Sequence, residues 1–195
     1  MFSHLLEDRK AAFNAGEPVL RDKSFDIFVS ALKEKRPKTF LEIGVNLGYS
    51  GIAALLTLPE LRLTGVEIDE DKKNLAEENY TRYGVKDRAK IFLGDAGEII
   101  PLLSGKYDFI FLDGPKGHYH EYLPYLLDLL AVGGVLFADN VLFRGYVNGK
   151  IKTPHRFMTA KHSLENFIKA ITERPDLKTR IIDIEDGVSV TEKIK

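Results

Sequence analysis

The chain contains no cysteine, and its 195 residues carry 28 Lys and Arg against 29 Asp and Glu, for a formal net charge of −1. The absence of cysteine excludes a disulfide framework, a thiol nucleophile and a cysteine-ligated zinc site. A nearly neutral chain has no global attraction for nucleic acid. Any nucleic-acid binding must therefore come from a local cluster of positive charge.

Long apolar runs are also missing. No run approaches the ~20 residues that a membrane span requires, and the N-terminus MFSHLLEDRK carries charges where a signal peptide would be apolar. These absences predict a cytoplasmic protein. The length suits a single domain over 1–195, with an N-terminal helical segment at 1–37 and a core at 38–195, and 44% hydrophobic residues exclude general disorder.

Strand-like and helical segments alternate along the chain. The apolar runs TFLEIG, LTGVEI, AKIFLG, YDFIFLD and VLFAD alternate with helical patterns at 48–58, 70–83, 95–103 and 119–130. That order predicts an α/β fold with a Rossmann-like, doubly wound parallel sheet. Two more helices are expected at about 23–35 and 157–173. The last two strands, near 178–184 and 187–192, leave no room for a crossover helix and should pair as a hairpin, which makes one strand antiparallel.

Polar side chains end two of the apolar runs. FIFLD ends at Asp113, and GGVLFADN ends at Asp139 and Asn140. Because open α/β sheets bind ligands at the carboxyl ends of their strands, we expect these three side chains to meet in one crevice. Two carboxylates and an amide suit Mg²⁺ or Mn²⁺ with positions left for substrate oxygens. Asp113 alone would more often cap a helix, so the prediction depends on the adjacent Asp139-Asn140 pair.

The first βα turn, LEIGVNLGYSG, is typical of a cofactor site. It places Gly44 and Gly48 where a strand feeds a helix, but Asn46 stands where a dinucleotide fingerprint needs glycine. A Cβ there obstructs the approach of pyrophosphate. Glu67, at the end of the next strand, can accept hydrogen bonds from a ribose. Ribose without pyrophosphate indicates S-adenosylmethionine; the alternatives are a simple tight turn for the glycines and a solvated loop for Glu67.

Several motifs together carry a family resemblance. They are LEIGVNLGYSG, VEID, LGDA, FLDGPKGHY, ADNVLFRG and the DGV at 186–188, and they cover the chain from about residue 21 onward. In their order and spacing the chain resembles the class I S-adenosylmethionine-dependent O-methyltransferases of the catechol O-methyltransferase type, specifically the small bacterial members. The resemblance implies a seven-stranded sheet whose last strand is antiparallel.

The same resemblance implies roles for individual residues. Asp113, Asp139 and Asn140 would bind Mg²⁺, and Lys116 would be the general base, with a pKa that we expect to be depressed by a nearby cation and by desolvation. The cofactor site would be lined by Glu42, Gly44, Gly48, Ser50, Glu67, Asp95 and Asp113. Asp95 fits a helix-capping box with Glu98 equally well. His118 and His120 remain unassigned, and we expect the assembly to be a homodimer.

The acceptor is less well specified by sequence. The animal catechol enzymes have a glutamate before the late DG motif that contacts the second ring hydroxyl, and Arg180 stands at that position here, which disfavours a plain catechol. The loop 144–162 contains five cations and no acidic residue, interleaved with Tyr146 and Phe157: Arg144, Lys150, Lys152, Arg156 and Lys161. Such a loop can hold phosphates and stack a base, although a solvated basic loop is an equal alternative.

Bacterial relatives with the DNVLF-R/K-G run include enzymes that methylate 5-hydroxyuridine in tRNA, so we favour that acceptor, with a small catechol-like molecule as the alternative. Both offer two adjacent oxygens for chelation. Two other classes of protein fit the sequence less well. An NAD-dependent oxidoreductase is disfavoured by the glycine spacing and by the lack of a hydride-relay pair. A non-catalytic RNA-binding module is disfavoured by the intact Asp113, Lys116, Asp139 and Asn140.

Overall fold

A computed structural model describes residues 2–195 of the protein. The helices longer than one turn of 3₁₀ are α1 (Phe2–Asn14), α2 (Asp22–Lys35), α3 (Tyr49–Thr57), α4 (Glu70–Arg82), α5 (Ala96–Ile99), α6 (Tyr119–Leu129) and α7 (Met158–Glu173). The strands are β1 (Thr39–Ile43), β2 (Arg62–Glu67), β3 (Ala89–Leu93), β4 (Tyr107–Leu112), β5 (Leu130–Asp139), β6 (Leu177–Ile182) and β7 (Val188–Lys193). The predicted alternation is confirmed, with most boundaries shifted by a residue or two. None of the described helices has the length and apolar character needed to cross a membrane.

The strands form one seven-stranded sheet in the order β3-β2-β1-β4-β5-β7-β6. The first five strands in sequence pair in parallel, whereas β7 is antiparallel to both β5 and β6. The predicted class I methyltransferase fold, with its terminal hairpin, is confirmed. The strand order reverses between β1 and β4, and such a reversal opens a crevice at the carboxyl ends of the two strands.

One face of the sheet packs against α2 through aromatic side chains. The ring of Phe28 lies 5.0 to 6.1 Å from the rings of four sheet residues, which are Phe40, Phe109, Phe111 and Phe137. Phe28 is fully buried, as the apolar spacing along α2 predicts. Edge-to-face and tilted aromatic contacts of this kind hold β1, β4 and β5 in a fixed relationship. The ends of these strands therefore stay in place at the crevice.

The turn after β1 requires glycine at position 44. Gly44 has φ +88°, and a Cβ at this position would lie 2.5 Å from the backbone oxygen of Asp113. The backbone after β1 and the backbone after β4 are consequently in direct contact. A side chain here would both strain the backbone and force the two strand ends apart.

The N-terminal helical segment consists of two helices joined by a loop over 15–21. Arg9 on α1 is buried and donates hydrogen bonds to the backbone oxygen of Leu20 and to the carboxylate of Asp22. Its guanidinium also lies 4.3 Å from the centre of the Phe25 ring. These contacts fix the loop at the edge of the crevice.

Candidate active site

A cleft of about 740 Å³ opens where β1, β2, β4 and β5 end. It is bordered on one side by the loop after α1 and on the other by the segments that follow β4 and β5. Six of the predicted site residues line it: Gly44, Glu67, Asp113, Lys116, Asp139 and Asn140. The topology explains this convergence, because these residues all follow neighbouring strands at the same edge of the sheet.

On the acidic side of the cleft, Asp139 is shielded from water, whereas the side chain of Asp113 is 25% exposed. Asp139 is 4% exposed, and the side-chain amide of Asn140 donates a 2.9 Å hydrogen bond to its Oδ2 atom. Burial and the charge of Asp113 raise the pKa of Asp139 to about 7. Asn140 itself adopts a left-handed conformation with φ 56°. A buried carboxyl group beside a second carboxylate is an arrangement that a bound cation stabilises.

The donor chemistry fits a hard divalent cation. Residues 2–195 contain no cluster of three or more histidine, cysteine, aspartate and glutamate side chains placed to hold a metal. The cleft instead offers two carboxylates, on Asp113 and Asp139, and the amide oxygen of Asn140, as the sequence predicts. Oxygen donors of this kind match Mg²⁺, which commonly keeps further positions for water or substrate. The amide of Asn140 would have to present its oxygen in place of the nitrogen that now faces Asp139.

Lys116 is paired with Asp113. Its Nζ atom donates a 2.7 Å hydrogen bond to Oδ1 of Asp113 and lies 5.6 Å from the centre of the Tyr119 ring. Burial lowers the pKa of Lys116, but the nearby negative charges, chiefly that of Asp113, outweigh burial and raise the pKa above its ordinary value. The expected depression of this pKa concerns a lysine beside a bound cation, whereas the nearest charge to Lys116 here is the Asp113 carboxylate, so that expectation stays a prediction.

Glu67 lines the cleft in a fixed position. It is 8% exposed and accepts hydrogen bonds from the backbone N–H groups of Asn46, Ile68 and Asp69 at 2.7, 2.9 and 3.0 Å. The solvated-loop alternative for Glu67 is therefore wrong. Its carboxylate retains free acceptor capacity, which is what binding of ribose hydroxyls would use.

Two smaller pockets extend from the cleft. The first contains Ser50 together with Gly44, Asp113 and the loop residues Val19 and Leu20. The second is lined by Asp95, Glu67, Ile68 and Tyr122. Asp95 also accepts a 2.7 Å hydrogen bond from the backbone N–H of Gly97, so it caps α5 in addition to lining a pocket.

Glu42 and Gly48 do not line any of these pockets. Glu42 is completely buried, and Ser50 donates its hydroxyl hydrogen to Oε1 of Glu42. Neither Oε2 of Glu42 nor the hydroxyl of Tyr80 has a well-formed hydrogen bond within residues 2–195, although the two groups face each other across Gly51. Gly48 supports the site from behind, since the Tyr80 ring lies 2.7 Å from where its Cβ would stand. The expectation that both residues line the cofactor site is thus corrected to a supporting position.

The basic loop is less available than its sequence suggests. Lys150 pairs with Asp183 at 2.7 Å, and Lys161 pairs with Glu165 at 3.5 Å. Tyr146 is 8% exposed and stacks on Phe157 with 5.6 Å between ring centres. The two aromatic rings are therefore occupied by each other, which corrects the idea that they are free to stack a base. Arg144 does line the cleft.

Two further positions differ from expectation or were unassigned. Arg180 lies in the middle of β6, beside Lys35 and Glu192 and away from the cleft, so the argument it supplied against a plain catechol has no structural basis. His118 pairs with the exposed Glu121 at 2.7 Å and stacks on Tyr122, and His120 is exposed. Neither histidine lines the main cleft.

The structure adds two cleft residues to which the sequence assigned no role. Arg21, at the start of α2, and Asp186, in the loop between β6 and β7, both border the cleft. They are joined by a 3.1 Å salt bridge although they are far apart in sequence. The DGV motif drew attention to Asp186, but no local pattern in EPVLRDKS marks Arg21.

Comparison with known proteins assigns the family. A family model described as O-methyltransferase matches residues 22–194. The chain belongs to this O-methyltransferase family. It is an S-adenosylmethionine-dependent O-methyltransferase of the caffeoyl-CoA and catechol type, as its motifs predict, and the oxidoreductase and non-catalytic alternatives are wrong.

Individual relatives agree with this assignment. Tapetum-specific methyltransferase 1 of Arabidopsis thaliana is 33% identical over 175 residues, which cover 86% of this chain and 75% of that protein. Catechol O-methyltransferase of Sus scrofa is 37% identical over 134 residues, or 63% and 70% of the two chains. The O-methyltransferase TomG from Streptomyces achromogenes, solved in complex with SAM, shares the fold with a TM-score of 0.85 at 23% identity, covering 98% of this chain and 89% of that one.

Proposed function

We propose that this O-methyltransferase is Mg²⁺-dependent and transfers the methyl group of S-adenosylmethionine to a hydroxyl that stands next to a second oxygen. One observation carries the proposal. Asp113, Lys116, Asp139 and Asn140 border the same cleft as Glu67. In the proposed roles, metal donors, a proton acceptor and a ribose acceptor would share one space, and methyl transfer requires that the acceptor and cofactor be held together.

The residues divide the work. Glu67 would bind the ribose, and Ser50 would contact the amino-acid end of the cofactor in the narrower pocket that it lines. When bound by Asp113, Asp139 and Asn140, Mg²⁺ would supply Lewis acidity that lowers the pKa of the hydroxyl to be methylated. The hydroxyl oxygen forms a bond to the methyl carbon as the carbon–sulfur bond breaks, and the products are the methyl ether and S-adenosylhomocysteine.

Lys116 would accept the proton of the hydroxyl at Nζ. In the arrangement observed it is held by Asp113, and negative charge raises its pKa. With a cation bound, the charges of Asp113 and Asp139 would be balanced, and burial would then be the dominant influence on the pKa of Lys116 and would favour its neutral form. The pKa of Lys116 would thereby fall, as a general base requires.

For the acceptor we propose 5-hydroxyuridine in tRNA, in which O5 stands beside O4. Three cations of the basic loop, Arg144, Lys152 and Arg156, have no carboxylate partner within the part of the chain that the structure describes, and Arg144 borders the cleft. These charges support phosphate binding. A small catechol-like molecule is the second candidate, which is favoured by the mutual stacking of Tyr146 and Phe157.

The experiment compares the two acceptors directly. Purified protein is incubated with S-adenosylmethionine and Mg²⁺, and either catechol or tRNA from a strain that lacks the gene, and the products are identified by mass spectrometry. We expect a methoxyuridine-type nucleoside in the tRNA, with no product in EDTA. Methylation of catechol alone would support the second candidate. Undiminished turnover in EDTA would contradict the metal dependence.

A further inference from the structure

We propose that Arg21 and Arg144 form a subsite for an anionic group of the acceptor, either a carboxylate or a phosphate, at the mouth of the cleft. This inference rests on the proposed function, since it concerns the molecule that is methylated. Both arginines border the cleft that contains Lys116, Asp139 and Asn140. A group bound between them would belong to the same molecule as the hydroxyl held at the acidic residues.

A single carboxylate joins the two arginines. Arg21 donates a 3.1 Å hydrogen bond from its guanidinium to Oδ2 of Asp186, and the backbone N–H of Arg144 donates to Oδ1 of Asp186 at 3.3 Å. The side chain of Arg21 is 47% exposed, and no carboxylate within residues 2–195 pairs with the guanidinium of Arg144. The guanidinium of Arg144 lies 5.7 Å from the centre of the Phe157 ring, so Asp186 neutralises the charge of Arg21 and leaves that of Arg144.

The surrounding backbone holds this arrangement in place. Glu185, next to Asp186, accepts hydrogen bonds from the backbone N–H groups of Lys23 and Ser24 at 3.2 and 3.0 Å, and from the Ser24 hydroxyl at 2.7 Å. The loop between β6 and β7 is thus tied to the first turn of α2, directly after Arg21. The subsite would be preorganised, which reduces the entropy lost when an anion binds.

Arg144 reaches the cleft from a strained turn after β5. Phe143 and Arg144 both have left-handed backbones, with φ 40° and 56°. This conformation is strained for a residue other than glycine, and glycine at position 144 would adopt it without strain. An arginine in this conformation, with its side chain at the cleft, is consistent with a requirement for its charge.

Guanidinium groups select carboxylates and phosphates because their planar N–H donors match two oxygens at once. The subsite therefore predicts a preference among acceptors that share the vicinal oxygens and differ in charge. Two matched pairs test it and separate the two sources of charge. They are 3,4-dihydroxybenzoate against 3,4-dihydroxybenzyl alcohol, and 5-hydroxyuridine 5′-monophosphate against 5-hydroxyuridine.

Binding of each compound is measured by calorimetry in the presence of S-adenosylhomocysteine and Mg²⁺, for the wild type and for Arg21→Gln. We expect the anionic member of at least one pair to bind more tightly to the wild type, and Arg21→Gln to lose about tenfold in affinity for it. The neutral members should change by less than about twofold. The pair that responds identifies the anion as a carboxylate or a phosphate.

Two further variants guard the interpretation. Arg21→Lys keeps the charge and should restore part of the lost affinity, which a folding defect would not allow. Arg180→Gln removes an arginine that lies away from the cleft and should leave all four affinities unchanged. Equal losses toward neutral and anionic members, or no preference for either anion in the wild type, would overturn the subsite. Preferential binding without methylation of any compound would retain the subsite and reject the proposed function instead.

Discussion

Ser50 donates its hydroxyl hydrogen to Glu42, so a side chain that lines the narrower pocket of the site contacts a carboxyl group that has no access to water. Burial raises the pKa of Glu42 from 4.5 to about 8, against the lowering effect of the Ser50 hydrogen bond. The charges of Asp113 and Glu67 contribute to the same rise. Near neutral pH the carboxyl group is therefore mainly protonated in the folded protein.

Glu42 should make the stability of the protein depend on pH. Its folded-state pKa lies above the unfolded value, so its favourable contribution is complete below about pH 4.5 and is lost as the pH rises toward 8. Glu42→Gln removes this titration. We expect the free energy of unfolding of the variant, relative to wild type, to increase between pH 5 and 8.5 in urea denaturation. The exposed Glu70→Gln should show the wild-type profile, and parallel profiles for Glu42→Gln and wild type would contradict the assignment.

Asp139→Ala should abolish the dependence on divalent metal and most turnover. Asp139 is the most buried of the proposed oxygen donors, and its loss leaves Asp113 and Asn140 to hold the cation. We expect turnover to fall by about 100-fold or more while the affinity for S-adenosylmethionine stays within about twofold. Asp183→Ala, which removes an exposed carboxylate in the loop between β6 and β7, is the control. Full activity of the Asp139 variant in EDTA would contradict the proposed metal site.

Glu67→Ala should weaken the binding of S-adenosylmethionine by about 1.5 to 3 kcal/mol, the range for hydrogen bonds to a charged group. The backbone contacts of Glu67 to Asn46, Ile68 and Asp69 hold its carboxylate at the cleft. Calorimetric titration measures the effect, and metal affinity, measured separately, should not change. Glu70→Ala on the next helix serves as a matched loss of charge. An unchanged cofactor affinity would remove Glu67 from the ribose site.

The fold and the acidic side of the cleft could be predicted because both follow from the order of apolar runs and the residues that end them. Asp139 ends β5, and Asp113 and Asn140 directly follow β4 and β5, so the parallel topology alone brings them together. The pairing of Arg21 with Asp186 could not be predicted, since it joins segments that are distant in sequence.

The direction of a pKa shift also depends on distances that sequence does not contain. The contact between Lys116 and Asp113 raises the pKa of the lysine, whereas the sequence led us to expect a pKa lowered by a nearby cation and by desolvation. Similarly, the motif that contains Glu42 does not show whether its side chain faces the cleft or the core. The stacking of Tyr146 on Phe157 in the basic loop could not be predicted either, because no local sequence pattern links the two positions.

The basic loop offers a test of the tRNA acceptor with an internal control. Lys152 and Arg156 have no carboxylate partner within residues 2–195, whereas Lys150 and Lys161 are paired with Asp183 and Glu165. If unpaired cations hold phosphates, Lys152→Ala with Arg156→Ala should flatten the slope of log affinity for tRNA against log salt by up to about two units.

Lys150→Ala with Lys161→Ala removes the same number of charges and should flatten the slope less, because these cations are already engaged within the protein. Methyl transfer to catechol should survive in both double variants, since a neutral acceptor has no phosphates to contact. Equal losses toward tRNA and catechol would indicate a defect in loop folding. A full salt slope in the Lys152 and Arg156 variant would contradict the role of the loop in RNA binding, and a small acceptor with two adjacent hydroxyls would then be the better assignment.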